Sequence, residues 1–142
     1  MEKVKIYLSG SMDSVSFEER SKWRNQIMDA ITYNYESEKK PLFFNPANYD
    51  YSFADIKYKT QREAMNFDLN ALRNSNLVIV NFDDPSNLSI CAELAIAYDM
   101  KIPIVGINKD GKELHPWLEC FCDRMCTSIK EAVEYVVEFY LN

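Results

Sequence analysis

The chain has 142 residues, of which 47% are hydrophobic and 27% are charged. This length suits one folded domain with a substantial core, residues 1–142, and the composition excludes a disordered protein. The formal net charge of -6 argues against a nucleic-acid polymer as partner, although local hydrogen-bond donors can still hold one nucleoside or nucleotide.

The chain shows no sign of an export or membrane segment. Its charged opening, MEKVK, leads directly into a strand-like run that is too short to insert, and no apolar stretch reaches transmembrane length. We therefore expect a soluble cytoplasmic protein with no membrane partner. In that compartment the four cysteines should stay reduced: Cys91, Cys120, Cys122 and Cys126.

The first third of the chain predicts a strand, a helix, a second strand and a loop. Residues 4–8 alternate and end at a polar turn. Apolar residues recur at helical spacing from residue 16 to about residue 33, and residues 41–44 form a short apolar run. Residues 45–57 are rich in Asn, Tyr and Pro and have no clear period, which is typical of a binding loop.

A capping box predicts the next helix. Thr60 is followed three residues later by Glu63, so a helix should begin there and run to about residue 73. Asp68 lies in this helix, with Ala64 and Leu72 four residues to either side. A carboxylate is therefore placed on an apolar face.

Residues 77–107 are the central unit of the chain. Two apolar runs, residues 77–80 and 102–107, flank a segment of helical length, residues 88–100. Strand, helix and strand in this order predict parallel strands with a right-handed crossover. Glu93 lies in the helix among mostly apolar neighbours, and we interpret it as the functional centre because an unpaired acid there would weaken the fold.

A second capping box, from Ser128 to Glu131, predicts a last helix with an apolar stripe. The alternation of strands and helices predicts an α/β three-layer sandwich with a mainly parallel sheet of about five strands.

Ligands of such sheets bind beyond the carboxyl ends of the strands. We expect residues 9–12, 45–51 and 83–89 to meet at this edge, and Asp68 to join them if its helix packs close by.

Several common catalytic motifs are absent. The sequence has three glycines and contains neither a dinucleotide-binding fingerprint nor a P-loop. It also lacks a G-x-S-x-G motif, and a single histidine leaves little room for a serine or cysteine triad.

Glu93 and Asp68 are the candidate catalytic pair. Two carboxylates beside one pocket suit cleavage of a glycosidic bond, with one acting as nucleophile and the other handling a proton. Partial burial should raise the pKa of at least one of them. The alternative is that each caps a loop or pairs with a basic residue. Tyr7, in the first strand, is either a core residue or a phenol that hydrogen-bonds to a carboxylate.

Polar groups at the sheet edge are candidate substrate ligands, and each has a structural alternative. The turn after the first strand can offer hydroxyls and N–H groups to a sugar or phosphate, but strand ends use such residues anyway. Residues that begin the Glu93 helix can cap it and also face a 5′ oxygen of a ligand. The expected set is Ser9, Gly10, Ser11, Asn45, Asn87 and Ser89.

Two clusters resemble metal sites, and for both we favour the structural alternative. Asp83 and Asp84 lack a third carboxylate or a histidine nearby in the sequence, which favours a solvated turn. The cysteines of residues 120–126, with His115 upstream, depart from zinc-site spacing and run into a predicted strand, which favours buried free thiols and a packed or surface histidine. We expect no metal and no cofactor.

Four segments, in this order, resemble the nucleoside 2-deoxyribosyltransferase family, notably its short phage and bacterial members. They are KIYLSGSM, FDLNALRNSNLVIVNFDDP, CAELAIAYDMKIPIVGI and LHPWL, which together span most of the chain. The resemblance implies a flavodoxin-like, Rossmann-like fold. It also implies that Glu93 attacks C1′ of the sugar, that Tyr7 orients this glutamate, and that Asp68 contacts and protonates the departing base.

The resemblance further implies the partners: a nucleoside or nucleotide, a free nucleobase and other copies of the chain, with the last helix as a candidate interface. The stretch Asn87-Leu88-Ser89-Ile90 departs from the family pattern, in which a glycine and a threonine take the last two positions. We expect a 2-deoxyribosyltransferase. A nucleoside 5′-monophosphate N-glycosidase and an inactive nucleotide-binding module remain alternatives.

Overall fold

The computed structural model describes residues 1–12, 14–49 and 58–142. The strands of the described residues are β1 Lys3–Ser9, β2 Lys40–Phe44, β3 Leu77–Asn81, β4 Ile104–Ile107 and β5 Arg124–Cys126. The helices are α1 Phe17–Tyr33, α2 Gln61–Arg73, α3 Leu88–Asp99, α4 Pro116–Phe121 and α5 Ile129–Tyr140, with a short 3-10 helix at Pro46–Tyr49.

The five strands form one parallel sheet in the order β2-β1-β3-β4-β5. The chain leaves β1 for an edge at β2, returns past β1 to β3 and then continues outward to β5. Adjacent strands β1 and β3 are thus followed by connections that leave in opposite directions, which opens a crevice at their carboxyl ends. The predicted fold class is confirmed: this is the flavodoxin-like α/β fold.

Helices cover both faces of the sheet and bury two separate clusters. One cluster joins α1 and α5 to side chains such as Ile6 and Leu8 of β1. The other joins α2, α3 and α4 to the opposite face, which includes Tyr7. Successive side chains of a strand point to opposite faces, so Tyr7 lies on the side of the sheet that α2 and α3 cover.

The predicted helix starts are confirmed by their hydrogen bonds. The Thr60 hydroxyl accepts from Glu63 N at 3.3 Å, and the Glu63 carboxylate accepts from Thr60 N at 2.7 Å. Ser128 Oγ likewise accepts from Glu131 N at 3.1 Å at the start of α5. Both contacts satisfy N–H groups that a first helical turn leaves without partners.

The cysteine segment confirms the predicted strand and corrects one expectation of burial. The segment runs into the strand Arg124–Cys126, and Cys120 lies before it in α4, where Pro116 and the capping side chain of His115 start a helix. Burial is complete for Cys126, partial for Cys122, and absent for Cys120 on the outer side of α4.

The apolar stripe of the last helix is not an interface for another subunit. Val133, Val136 and Val137 pack against the sheet within the chain's own core, and Leu141 is fully buried beside them. The expectation that this stripe supports an oligomer is therefore wrong, since folding of the single chain already covers it.

The predicted loop of residues 45–57 contains the 3-10 helix Pro46–Tyr49, and residues 50–57, including Tyr51, lie outside the described residues. Within residues 1–12, 14–49 and 58–142, no helix is long and apolar enough to cross a membrane. The same residues contain no group of three or more His, Cys, Asp or Glu side chains that could hold a metal ion.

Candidate functional site

A cavity of about 620 Å³ opens at the carboxyl edge of the sheet, on the side of α2 and α3. Its walls are formed by β1 and the turn after it, by the 3-10 helix, by one face of α2 and by the first turns of α3. This volume is typical of small-molecule sites.

Five of the nine residues expected at the site line this cavity: Tyr7, Gly10, Asp68, Ser89 and Glu93. They come from β1, the following turn, α2 and α3. The structure thus brings both carboxylates to one cavity because α2 packs against α3.

The other four expected residues do not line the cavity. Ser9, Ser11 and Asn45 are buried and are not among the residues that line it. The Ser9 and Ser11 hydroxyls have no hydrogen-bond partner among the described residues, whereas Asn45 Oδ1 accepts from Ala47 N at 3.0 Å. Asn87 is the N-cap of α3.

The cap on α3 uses the side-chain oxygen of Asn87. Asn87 Oδ1 accepts from Ser89 N at 2.9 Å and from Ile90 N at 3.2 Å. A carboxylate also occupies the turn after β1, where Asp83 Oδ1 accepts from Ser11 N at 3.2 Å. Backbone N–H groups that an anion would use are thus already bound within the fold.

Glu93 has the most perturbed carboxyl of the cavity. The residue is half-buried, and its Oε2 atom is fully buried without a hydrogen-bond partner among the described residues. Burial raises the pKa of Glu93 to about 7, and the negative charge of Asp68 adds to this rise. A hydrogen bond from Tyr7 and the positive charge of Arg24 act in the opposite direction. At neutral pH the carboxyl therefore exists in both forms.

Tyr7 is held in place by its strand and by aromatic packing. Its side chain is 1% exposed, and its ring stacks on Phe44 at 5.3 Å between centroids. Burial raises the pKa of Tyr7 well above its ordinary value, and the charges of Glu93 and Asp68 raise it further. The hydroxyl therefore stays protonated and serves as a hydrogen-bond donor to Glu93.

Asp68 faces the cavity from the middle of α2. Gln61, Ala64 and Met65 lie one and two turns earlier on the same wall, as the helical period requires. The charge of Asp68 raises the pKa of Glu93, Tyr7 and Tyr58, so it acts on all three groups.

A cluster of aromatic side chains, which was not identified from the sequence, brings Tyr49 and Tyr58 to the cavity wall. Phe44 and Tyr49 stack with centroids 5.0 Å apart, and Phe67 packs against both at 5.8 and 5.2 Å. Tyr58 lies 6.2 Å from Phe67, and its buried hydroxyl has no partner among the described residues. The repeated aromatic residues between Phe44 and Phe67 are the signal in the sequence. Such a wall suits a planar ring.

Arg24 was also not identified from the sequence as a residue near the site. Its side chain is completely buried beneath the turn after β1. The available signal was its position on α1, four residues after Arg20 and three before Ile27, on the face that enters the core.

Solved structures with this fold include enzymes that act on nucleosides and nucleotides. A 2-deoxyribosyltransferase from Bacillus psychrosaccharolyticus has a TM-score of 0.69 at 12% identity, covering 93% of this chain and 92% of that one. A 2-deoxyribosyltransferase from Leishmania mexicana has a TM-score of 0.65 at 16% identity, covering 97% and 99%. A CMP N-glycosidase from Clostridium botulinum has a TM-score of 0.59 at 12% identity, covering 96% and 99%.

At these identities the structures show the shared fold alone, and no curated protein matches the sequence significantly. The family model described as nucleoside 2-deoxyribosyltransferase like does match, over residues 3–111 of the 142. This range contains β1, α2 and α3, and therefore both carboxylates, Asp68 and Glu93. The chain therefore belongs to the nucleoside 2-deoxyribosyltransferase-like family.

Proposed function

We propose that this protein is a nucleoside 2-deoxyribosyltransferase, which moves 2-deoxyribose from one nucleobase to another. The observation that carries the proposal is the Glu93 carboxylate, whose buried Oε2 has no hydrogen-bond partner within the described residues and which lies at a cavity that also contains Asp68 and Tyr7. A buried acceptor without a partner costs stability, which is typical of a group reserved for a ligand.

In the first step the ionised Glu93 attacks C1′ of the deoxynucleoside. A bond forms between a carboxylate oxygen and C1′ as the C1′–N bond breaks, and the bonding electrons leave with the base. Asp68, which takes up a proton when the nucleoside binds, donates that proton to the base, so the products are a deoxyribosyl ester and a neutral free base. Tyr7 holds the attacking carboxylate through its hydrogen bond.

In the second step an acceptor base takes the reverse path. Asp68 removes its proton, the base nitrogen attacks C1′, and Glu93 leaves as a carboxylate. Two successive displacements retain the configuration at C1′. The two steps together consume and release only the two substrates, the two products and the proton that Asp68 carries. We therefore propose no cofactor. The aromatic rings of Tyr49 and Tyr58, which line the cavity, support a planar base as the leaving and entering group.

Incubation of the protein with a deoxynucleoside and a second free base, followed by mass spectrometry, tests the proposal. We expect the exchanged deoxynucleoside to appear. The Glu93→Gln variant should lose exchange, because an amide cannot form the ester. The matched control Asp99→Asn removes an exposed carboxylate from the same helix and should exchange normally. Full exchange by a folded Glu93→Gln protein would contradict the assignment.

A nucleoside 5′-monophosphate N-glycosidase is the second candidate, and the buried Ser9 and Ser11 hydroxyls favour it as possible phosphate ligands. Against it, Ser11 N already binds Asp83, and Ser89 N already binds Asn87. Release of free base from a monophosphate but not from the nucleoside would select this candidate. Binding without turnover across all substrates would instead indicate an inactive nucleotide-binding module.

We also propose that the protein acts in the cytoplasm as a homo-oligomer. Large apolar side chains are exposed on α3 and α4: Leu88 is 82% exposed, Trp117 70% and Tyr98 60%. Leu88 also borders the cavity, so a second copy placed there would complete its wall. Light scattering after size exclusion tests this, and a fully active monomer would contradict it.

A further inference from the structure

Arg24 is a fully buried cation next to the cavity that the proposed reaction does not use. It is 0% exposed and lies on the face of α1 that enters the core. Removing a guanidinium from water is costly unless hydrogen bonds compensate the loss. The donors of Arg24 must therefore be accounted for.

Within the described residues, the Arg24 guanidinium makes its hydrogen bonds and its ring contact with neutral groups. Nε donates to Leu8 O at 3.3 Å, Nη1 to Arg20 O at 2.7 Å, and Nη2 to Gly10 O at 3.2 Å. The guanidinium also lies over the Trp23 ring, 4.7 Å from its centroid. Among the described residues no carboxylate forms an ion pair with it. Its charge is stabilised by the backbone carbonyl dipoles and by the ring of Trp23.

These contacts fix the end of β1. The carbonyl groups of Leu8 and Gly10 bracket the point where the strand becomes a turn, and Tyr7 lies immediately before them. Gly10 itself lines the cavity, and a Cβ at this position would approach Trp23 Cζ2 to 2.6 Å. The turn therefore rests directly on the side chains of Trp23 and Arg24.

The charged and titratable groups that act on Glu93 come from three elements. Tyr7 of β1 and Asp68 of α2 contribute a hydroxyl and a negative charge, whereas Arg24 of α1 is the positive group among them. Asp83, after β3, also acts on Arg24 electrostatically. Burial lowers the pKa of Arg24 only to about 10, so the guanidinium remains charged at neutral pH.

We propose that Arg24 is a positioning residue, which clamps the β1 turn that carries Tyr7 and supplies the positive charge that favours the ionised nucleophile Glu93. This inference rests on the proposed function for its catalytic meaning. The clamp and the charge are separate effects, and two substitutions separate them. Arg24→Gln removes the charge, whereas Arg24→Lys keeps the charge and loses the forked geometry of the guanidinium.

The charge is tested first in the substrate-free protein. Carbon-13 NMR of labelled glutamate side chains, with Glu93→Gln to assign the signal, follows the ionisation of Glu93. Arg24→Gln should move its midpoint upward by about one pH unit, as loss of a nearby opposite charge requires. The control Lys22→Gln removes an exposed cation from the same helix and should leave the midpoint unchanged. An unchanged midpoint in folded Arg24→Gln would refute the role of the charge.

The clamp is tested in the exchange assay. In Arg24→Lys the charge is retained and kcat should fall about tenfold, since a misplaced Tyr7 affects the reaction more than binding. A wild-type kcat in Arg24→Lys would refute the clamp. This outcome decides the question even if the Arg24→Gln protein does not fold. Absence of exchange in the wild-type protein as well as in the variants, together with a shifted NMR midpoint, would contradict the proposed function and support the inferred charge effect.

Discussion

Replacement of Tyr7 by phenylalanine tests how the nucleophile is kept ionised. The substitution removes the hydroxyl that hydrogen-bonds to Glu93 and retains the ring that stacks on Phe44 at 5.3 Å. Packing should therefore change little. The main consequence should be that the charged form of Glu93 loses a donor, which raises its pKa above the value of about 7.

The expected rise in the pKa of Glu93 follows from the strength of the hydrogen bond that Tyr7 donates. A hydrogen bond to a charged group contributes about 1.5–3 kcal/mol. Because one pKa unit corresponds to about 1.4 kcal/mol, the pKa of Glu93 should rise by about one to two units. With a rise of about one unit, the ionised fraction at pH 7 falls from about one half to about one tenth. The value of kcat/KM at pH 7 should fall about fivefold and recover in alkaline buffer.

The assay is base exchange by a deoxynucleoside, followed from pH 5 to pH 9.5 by mass spectrometry. Tyr33→Phe is the matched control, since it removes a phenolic hydroxyl from a side chain that is 79% exposed on α1. A folded Tyr7→Phe protein whose acid limb coincides with that of the wild type would refute the reasoning. A loss of rate that is equal at all pH values would show that Tyr7 acts only through geometry.

Three further predictions concern stability and binding. Because the pKa of Glu93 is higher in the folded chain than the ordinary value of 4.5, the folded state binds more protons between pH 4.5 and 7, and stability falls as pH rises through that window. Glu93→Gln should therefore raise the unfolding free energy at pH 8 by about 1–3 kcal/mol and change it little at pH 4, as measured by urea denaturation. Gly10→Ala should lower the unfolding free energy by about 1–3 kcal/mol, because the new Cβ would clash with the Trp23 ring. An unchanged urea midpoint would show that the turn can shift without loss of stability. The Tyr58 hydroxyl has no hydrogen-bond partner among the described residues, and we expect it to contact the acceptor base. Tyr58→Phe should therefore raise KM for the acceptor base and leave kcat nearly unchanged. Equal KM values for this variant and the wild type would show that Tyr58 does not bind the base.

Local patterns predicted the elements well where the stabilising contacts are short-range. The capping box of Thr60 and Glu63 joins residues three apart, so the sequence contains the entire interaction that starts α2. The β3–α3–β4 unit was equally evident, since an apolar run, a helical segment and a second apolar run follow directly along the chain. The short helix α4 was missed because six residues are too few to show a period.

Interactions between segments that are distant in the chain were harder to predict from the sequence. The stripe of α5 is apolar in the sequence, but only the packing shows that the chain's own sheet covers it. Arg24 appears in the sequence as one more charge on an amphipathic helix. Its burial depends on carbonyl groups of Leu8 and Gly10, which lie 16 and 14 residues away. Cysteine burial likewise depends on which side of α4 and β5 faces the core.

By itself the sequence determined the parallel α/β fold, the family and the position of Glu93 on a mostly apolar helix, because periodicity and motif order are properties of the chain alone. Only the tertiary structure decided that Asp68, 25 positions earlier, and Tyr7, on a neighbouring strand, share a cavity with that glutamate. It also decided that Ser9, Ser11 and Asn45 are buried and do not line the cavity. The physical reason is that side-chain direction on a strand alternates with each residue, and the distance between two helices depends on how their faces pack.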